Sequence, residues 1–177
     1  TIQADFLTVL PNSQIKVASS KSGSIKTLDN SADLDLSNTH VDAEGSFTAA
    51  SANGIVKLGE TNISGSYQVQ NGTINANGIA ELHGKVAFKG TGGKLVAESF
   101  TADENSGSSI ELVNTTRDAG SIVGSIESTG NGELDLTNTT VRADYGNTLN
   151  VKATSGNVKF GELNIAGTVN AESGNAA

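Results

Sequence analysis

Two histidines are the side chains of this 177-residue chain best suited to proton transfer or metal binding. His40 lies in the segment SNTHVDA and His83 in ELHGKV, and they could act together if the fold brought both rings onto adjacent faces. A second copy of the first segment carries Thr140 in place of His40, so the repeat does not require the imidazole. No Gly-x-Ser-x-Gly elbow places a serine near either ring, and we interpret both histidines as solvated turn residues.

Asp33 and Asp35 are the carboxylates whose spacing comes closest to that of a hydrolase. Residues two apart on a β-strand share one face at about 6 to 7 Å, a separation that would suit paired acids in glycoside hydrolysis. Such enzymes also stack sugars on aromatic rings, yet the chain has no Trp and only Tyr67 and Tyr145 as phenols. We therefore interpret the pair as part of a charged solvated face, assign no catalytic residue and do not expect an enzyme.

The composition excludes several other kinds of site. With no Cys there is neither a disulfide nor a thiolate metal site. The tract GTGGK at residues 90–94 lacks the spacing of a phosphate loop and the acid of calcium-binding nonapeptide repeats. A net charge of -8, with Arg only at Arg117 and Arg142, argues against nucleic acid as a partner. We expect no cofactor and no bound metal.

Internal repetition predicts the elements that must position any site. Residues 23–65 recur as residues 124–167, so that SADLDLSNTHVDAEG is matched by NGELDLTNTTVRADYG. Within this long repeat a shorter unit recurs as an apolar, charged, apolar tripeptide. Such alternation predicts a strand with one buried face and the charged residue pointing outward. We place six tripeptides at equivalent positions of successive units, centred on Asp35, Lys57, Glu81, Glu111, Asp135 and Lys159.

Turn chemistry leaves two folds open. Asn-Gly and Ser-Gly pairs separate the apolar pieces, and because Asn-Gly is also a hairpin signal, an antiparallel meander is the competing fold. The repeat favours an all-β, right-handed parallel β-helix (β-solenoid) of roughly eight coils, at about 22 residues per coil. Equivalent strands then pair in parallel and bury a narrow column of small apolar side chains, which accounts for the few aromatic residues.

One continuous domain is expected, in three parts: an N-terminal coil or cap-like segment (residues 1–22), a first solenoid repeat block (23–123) and a second, truncated block (124–177). Phe6, Leu7, Val9 and Leu10 would begin a cover over the first turn. Residues 171–177 are too polar to cover the last turn, so we expect a cut through a longer solenoid. No stretch approaches the roughly 18 apolar residues of a membrane span.

Three tracts resemble a known family: GSIVGSIESTGNGELDLTNTTV, LNVKATSGNVKFG and LNIAGTVNAESGN. They look like the repeats of filamentous haemagglutinin-type adhesins, the exoproteins of two-partner secretion in Gram-negative bacteria, and are similar to the high-molecular-weight adhesins of Haemophilus. The resemblance implies a secreted or cell-surface, outer-membrane-associated adhesin segment, a β-solenoid shaft that supports host-cell or surface attachment in virulence. The implied partners are a host-cell receptor or glycan and, during export, an outer-membrane secretion pore, with the shaft a monomer within a longer chain.

Four Asn-x-Ser/Thr sequons occur, at Asn62, Asn71, Asn114 and Asn138. The resemblance implies N-glycosylation there, because the Haemophilus-type adhesins are hexosylated at such sequons. The residues themselves offer a structural alternative, in which Asn114 of IELVNTT and Asn138 of LDLTNTT stack as an amide ladder at a corner. We favour the ladder for those two, since a laddered amide would not be available to a sugar transferase.

Two further functions stay open on the same scaffold: a polysaccharide-active β-helix enzyme, and an autotransporter passenger or biofilm-matrix structural protein. An enzyme of that kind would carry long loops between coils, whereas these turns are short and regular. The longest irregular stretch, residues 101–109, is the loop that we expect to protrude and the first place to seek binding contacts.

Overall fold

The chain folds as a β-solenoid. The computed structural model describes residues 1–5, 7, 9–72, 76–114, 120–130 and 133–174. These described residues form strands and no helix, and the strands assemble into three sheets stacked over about seven turns. Pairing between successive turns is parallel throughout the three sheets, which confirms the predicted β-solenoid and excludes the meander.

The strands are numbered in chain order and grouped here by sheet. Sheet 1 contains β1 (Ile2–Ala4), β3 (Ser22–Thr27), β6 (Ser46–Ser51), β9 (Ser66–Asn71), β13 (Gly93–Ala97), β16 (Val123–Ser128), β19 (Thr148–Ala153) and β22 (Thr168–Ser173), with the short β10 (Ala76–Asn77) antiparallel to β9. Sheet 2 contains β4 (Leu34–Leu36), β7 (Ile55–Leu58), β11 (Ile79–Leu82), β14 (Ser99–Ala102), β17 (Leu134–Leu136) and β20 (Val158–Phe160). Sheet 3 contains β2 (Ser13–Val17), β5 (Thr39–Ala43), β8 (Thr61–Ile63), β12 (Lys85–Phe88), β15 (Ser109–Leu112), β18 (Thr140–Ala143) and β21 (Leu163–Ile165).

Each turn passes through the three sheets in a fixed order. From sheet 1 the chain enters sheet 2, then sheet 3, and returns to sheet 1 one level along the axis, as in the run β6, β7, β8 and β9. At about 4.8 Å per level, the strands of sheet 1 span roughly 34 Å. The result is a short rod whose three faces are sheets and whose three edges are turns.

The core is the column enclosed by the three sheets. Leu34 and Leu36 of β4 are fully buried and pair with Val56 and Leu58 of β7, which are buried in turn. The residue between each pair points outward, as the alternation predicts. Outward placement is confirmed for all six predicted tripeptide centres, namely Asp35, Lys57, Glu81, Glu111, Asp135 and Lys159.

One of the six tripeptides is not at the equivalent position, because five lie in sheet 2 and one lies in sheet 3. Ile110, Glu111 and Leu112 form part of β15 in sheet 3, where Ile110 pairs with Val86 and Val141. The equivalent place in sheet 2 belongs to β14, whose Phe100 pairs with Ala80 and Leu134. All three sheets bury one face, so an apolar, charged, apolar pattern predicts a strand without indicating which sheet it joins.

The expected protruding loop was also misplaced. Residues 101 and 102 belong to β14 and residue 109 begins β15, which leaves a compact turn held by a hydrogen bond from the Asn105 amide to Asp103 Oδ1 at 2.8 Å. β15 ends at Leu112 and β16 begins at Val123, and residues 115–119 between them lie outside the described residues.

The two ends of the rod differ. Leu7 and Val9 pack against the core, as expected of a cover, whereas Leu10 is 70% exposed and Phe6 lies outside the described residues. In the last turn, Leu163 and Ile165 of β21 are partly exposed although the matching residues of β18 are buried. The division into repeat blocks stays a prediction, and β16 crosses the proposed boundary while pairing with the strands on both sides.

Candidate functional site

His40 lies on the outer face of β5 and is surrounded by polar groups of its own turn and the next. Its Nε2 is 3.1 Å from Asp42 Oδ1, and its Nδ1 is 3.5 Å from Glu60 Oε2. The Asn62 amide nitrogen lies 3.2 Å from the same Nε2 and donates to Asp42 Oδ1 at 2.8 Å. Because the two carboxylates approach opposite nitrogens of the ring, they do not converge on a common point.

His83 follows β11 and has separate partners. Its Nε2 contacts Glu81 and its Nδ1 is 3.4 Å from Asp103 Oδ2, one turn along the rod. The structure therefore gives each histidine its own pair of carboxylates and does not bring the two rings together. Within the described ranges, no group of three or more His, Asp or Glu side chains is arranged to hold a metal ion.

Asp33 and Asp35 are engaged in structural contacts. Asp33 accepts a hydrogen bond from Asn53 Nδ2 at 2.5 Å and lies 3.3 Å from Lys57 Nζ. Asp35 Oδ1 accepts the backbone N–H of Ser37 at 2.9 Å. Burial alone would raise the pKa of Asp35, but the hydrogen bonds from Ser37 and the charge of Lys57 outweigh it and hold that pKa below its ordinary value. A carboxyl group with a lowered pKa stays ionised and is a poor proton donor.

The two tyrosines offer no sugar-stacking platform together. Tyr67 is fully buried, its ring packed edge-on against Phe47 with 5.0 Å between centroids and 80° between planes. Tyr145 is 86% exposed in the turn after β18. The Tyr67 hydroxyl is buried without a hydrogen-bond partner, and burial raises the pKa of this phenol.

The sequon asparagines differ in accessibility. Asn62 donates to Asp42 and lies beside His40, and Asn71 lies next to Gly54. Asn138 is exposed in the turn between β17 and β18 and donates to the Ala102 carbonyl at 3.2 Å. Glycosylation stays a prediction, and Asn138 presents the most accessible amide among the described sequons.

The predicted amide ladder is not formed. Asn114 follows β15 of sheet 3, whereas Asn138 follows β17 of sheet 2, so the two occupy different edges of the rod. The cause is the sheet assignment of residues 110–112, since IELVNTT and LDLTNTT look alike but belong to different sheets. Asparagines stack elsewhere: Asn170 Nδ2 donates to Asn150 Oδ1 at 3.0 Å on sheet 1.

A cleft that the sequence did not predict lies at the edge where sheet 3 leads into sheet 1. Its volume is about 390 Å³. Val113 and Ile122 contribute apolar surface, and Lys89, Asn114 and Ser121 contribute polar groups. The Asn114 side-chain oxygen is buried and has no hydrogen-bond partner.

Asn147 holds both ends of the segment that borders this cleft. Its Nδ2 donates to the Leu112 carbonyl at 2.7 Å, and its Oδ1 accepts the backbone N–H of Ile122 at 2.9 Å. The residue is 1% exposed. A single buried amide thus ties the end of β15 to the residue that precedes β16.

Comparison with known proteins identifies no relative: no family model, no curated protein and no solved structure matches the chain. No helix of the described residues is long and apolar enough to cross a membrane.

Proposed function

We propose that the chain is a segment of a secreted or cell-surface bacterial adhesin, a β-solenoid shaft that supports attachment to host cells or other surfaces. The observation that carries the proposal is the continuity of three in-register parallel sheets along the rod. Every level is tied to the next by strand hydrogen bonds and by the packed core, so the rod resists bending and keeps its faces in fixed positions. A spacer that carries contacts away from a cell surface needs this property.

The outer faces are built to stay solvated. On sheet 2, Asp35 pairs in register with Lys57, which pairs with Glu81. On sheet 1, Glu127, Lys152 and Glu172 follow one another in the same way. Opposite charges on adjacent strands attract each other and stabilise the stack of strands. Their alternation also keeps carboxylates from lying next to one another in a chain with a net charge of -8. Broad polar faces suit attachment through distributed contacts.

The resemblance of the repeats to filamentous haemagglutinin-type adhesins supports the same proposal. It adds a route, export through an outer-membrane pore, and a partner class, a host-cell receptor or glycan. A polysaccharide-active enzyme is less well supported, because Asp33 and Asp35 are already held by Asn53, Lys57 and Ser37.

The test is attachment of the purified, folded chain to host cells and to glycan-coated surfaces. We expect saturable attachment that is lost in the Leu136→Asp variant, which places a charge in the core. A folded chain that does not attach to any cell or surface tested would contradict the adhesive part of the proposal. The far-ultraviolet circular dichroism spectrum of each sample separates loss of binding from loss of fold.

A further inference from the structure

Two grooves of the same construction lie on the edge of the rod where sheet 2 leads into sheet 3. Groove 1, with a volume of about 220 Å³, is lined by residues 37–40 and Glu60 together with residues 11 and 12. Groove 2, with a volume of about 240 Å³, is lined by residues 137–140 and Glu162 together with residues 107 and 108. Residues 37–40 and Glu60 match residues 137–140 and Glu162 in the internal repeat, so the rod carries the same site twice.

Each groove is built by three successive turns of the rod. The first turn contributes Asn12 to groove 1 and Gly107 to groove 2, and both residues have a left-handed backbone, with φ of 63° and 61°. The middle turn contributes residues 37–40 or 137–140, and the third turn contributes the glutamate. The two grooves therefore agree in backbone conformation as well as in sequence.

A glycine holds the third turn close to the middle one in both grooves. A Cβ on Gly59 would clash with the Ser37 carbonyl, and a Cβ on Gly161 would clash with the Thr137 carbonyl. The glutamate that follows each glycine is exposed. Its carboxylate is thus presented to solvent from a backbone that is fixed beside the middle turn.

The glutamate recurs in both grooves although its partners within the rod differ. Glu60 lies 3.5 Å from His40 Nδ1 and 3.7 Å from Lys85 Nζ. Glu162 instead accepts a hydrogen bond from Asn164 at 3.0 Å and forms no ion pair with any described residue. No single internal contact accounts for a carboxylate at both places.

The exposed asparagine of the middle turn shows the same behaviour. Asn38 donates to the Ser37 hydroxyl at 3.3 Å, whereas Asn138 donates to the Ala102 carbonyl at 3.2 Å. The neighbouring aspartates differ in this respect, because Asp35 and Asp135 each accept the backbone N–H two residues later at 2.9 Å. The aspartates recur for a structural reason, whereas the asparagine and the glutamate are left for a contact outside the chain.

The paired amide and carboxylate select a ligand that both donates and accepts hydrogen bonds. A carboxylate only accepts, while the asparagine amide can donate as well. Hydroxyl groups satisfy both, whereas an ammonium group could not accept from the amide. None of the described residues that line the grooves is lysine or arginine, so neither groove attracts an anion through such a side chain.

We infer that each groove binds one neutral sugar unit, whose adjacent hydroxyls donate to Glu60 or Glu162 and accept from Asn38 or Asn138. The inference rests on the proposed adhesive function and names the class of receptor glycan. Both volumes fall below the roughly 300 to 1,000 Å³ of sites for drug-sized ligands, which suits a single sugar unit.

The two grooves are spaced for a ligand that carries more than one sugar. Groove 1 lies at the start of β5 and groove 2 at the start of β18, four levels along sheet 3. At about 4.8 Å per level, the separation is about 19 Å. Weak binding in each groove would add up on a branched or densely glycosylated surface, because the second contact becomes intramolecular.

The test is a titration of the isotope-labelled chain followed by backbone amide NMR shifts. The probes are methyl galactoside and methyl mannoside, with methyl glucuronide and butylamine as comparisons. We expect at least one neutral glycoside to shift amides of residues 37–40 and 60 and of residues 137–140 and 162. Both comparisons should bind about threefold or more weakly. Equal shifts with butylamine would assign the grooves to cations and overturn the sugar.

Three variants make the result specific. Glu162→Gln is expected to weaken binding in groove 2 about threefold or more, since a charge-assisted hydrogen bond is lost, and to leave groove 1 unchanged. Glu60→Gln should have the reverse effect, so each variant carries its own internal control for folding. Glu172→Gln removes an exposed carboxylate from sheet 1, away from both grooves, and should bind as the parent does.

The outcomes separate this inference from the proposed function. Absence of shifts in both grooves with either neutral glycoside, or equal binding by Glu162→Gln and Glu172→Gln, would overturn the inference. If the double variant Glu60→Gln/Glu162→Gln attaches to cells as the parent does, the adhesive function stands and the grooves are not its receptor contacts. If the parent chain binds a neutral glycoside but attaches to no cell, the grooves stand and the adhesive function fails.

Discussion

The ring of Phe88 occupies the space where a side chain on Gly124 would begin. A Cβ placed on Gly124 would lie 2.5 Å from Phe88 Cγ and 2.8 Å from each of its Cδ atoms. Gly93, which pairs with Gly124 in the neighbouring strand, would meet the same ring at 2.7 Å. Two stacked glycines of sheet 1 thus make room for the one large aromatic side chain of β12.

Gly124→Ala is therefore expected to destabilise the rod by about 1 to 3 kcal/mol, the usual cost of overpacking a core. The measurement is the free energy of unfolding from urea denaturation. Gly120→Ala is the matched control, because a Cβ there meets no atom of the described residues within 4 Å. The double variant Phe88→Leu/Gly124→Ala should lose less stability than the sum of its two single changes. Strict additivity would contradict a direct clash.

Tyr67→Phe is expected to stabilise the rod by about 1 kcal/mol, because it removes a buried hydroxyl that has no partner while keeping the ring against Phe47. Thermal unfolding followed by circular dichroism measures the change. Tyr145→Phe, at an 86% exposed position, should leave the melting temperature unchanged. A lower melting temperature for Tyr67→Phe would show that its hydroxyl is bonded in solution.

The same buried phenol gives a test at alkaline pH. Burial raises the pKa of Tyr67, so the folded chain keeps this proton where the unfolded chain has lost it. Unfolding is then favoured as the pH rises above about 10, the ordinary value for tyrosine. The parent chain should lose more stability than Tyr67→Phe across that range. Equal losses of stability with rising pH in the parent chain and in Tyr67→Phe would mean that the Tyr67 phenol is accessible to solvent.

The strands and their inward faces could be predicted from sequence because alternation of period two reports burial directly. Leu34, Leu36 and Leu136 were placed inward from that pattern, and all three are fully buried. The sheet to which a strand belongs could not be predicted in the same way, as Ile110 shows. Its assignment depends on how many residues separate it from the strand one turn below, and insertions at the edges change that number.

The candidate site was harder to predict because its parts come from different turns. Lys89 and Asn114 lie at the same edge of the rod in successive turns, and they are neighbours only after β12 and β15 have stacked. Asn147 reaches Leu112 and Ile122 from one further turn. Lys89 and Asn147 fall in no motif, and the sequon that contains Asn114 does not predict that it lines a cleft with Lys89.

Asn147→Ala is expected to destabilise the rod by about 2 to 4 kcal/mol, because it leaves the Leu112 carbonyl and the Ile122 N–H without their partner. Urea denaturation measures the effect. Asn138→Ala, at an exposed turn position, is the control and should lose much less stability. Equal free energies of unfolding for Asn147→Ala and Asn138→Ala would show that the two hydrogen bonds of Asn147 do not stabilise the rod.

Leu136→Asp should unfold the chain, because Leu136 is fully buried and a charge there would have no partner. Phe160→Asp, at the paired position of the last turn, should be milder because Phe160 is only partly buried. Asn138→Asp adds the same charge at an exposed site and should be tolerated. Circular dichroism and proteolysis rank the three. An equal loss of folded structure in Leu136→Asp and Phe160→Asp would contradict the partial burial of Phe160 in the last turn.

Acid should weaken the rod through carboxylates of its outer faces. Burial alone would raise the pKa of Asp135, but hydrogen bonds from Thr137 and the charge of Lys159 hold it below its ordinary value of 3.8. As the pH falls below about 4, the unfolded chain takes up this proton first. Stability that is constant at higher pH is therefore lost as the pH falls through the pKa of Asp135 in the folded chain.

Asp135→Asn keeps an acceptor for the Thr137 N–H, bonded at 2.9 Å in the parent, but cannot titrate. Its stability should therefore fall less steeply with acid, the difference staying below about 1 kcal/mol because the pair with Lys159 is partly exposed. Urea denaturation from pH 7 to pH 3 measures the slopes, with Glu104→Gln as a control at an exposed side chain. Identical slopes for the parent chain and Asp135→Asn would mean that Thr137 and Lys159 do not favour the ionised carboxylate in the folded rod.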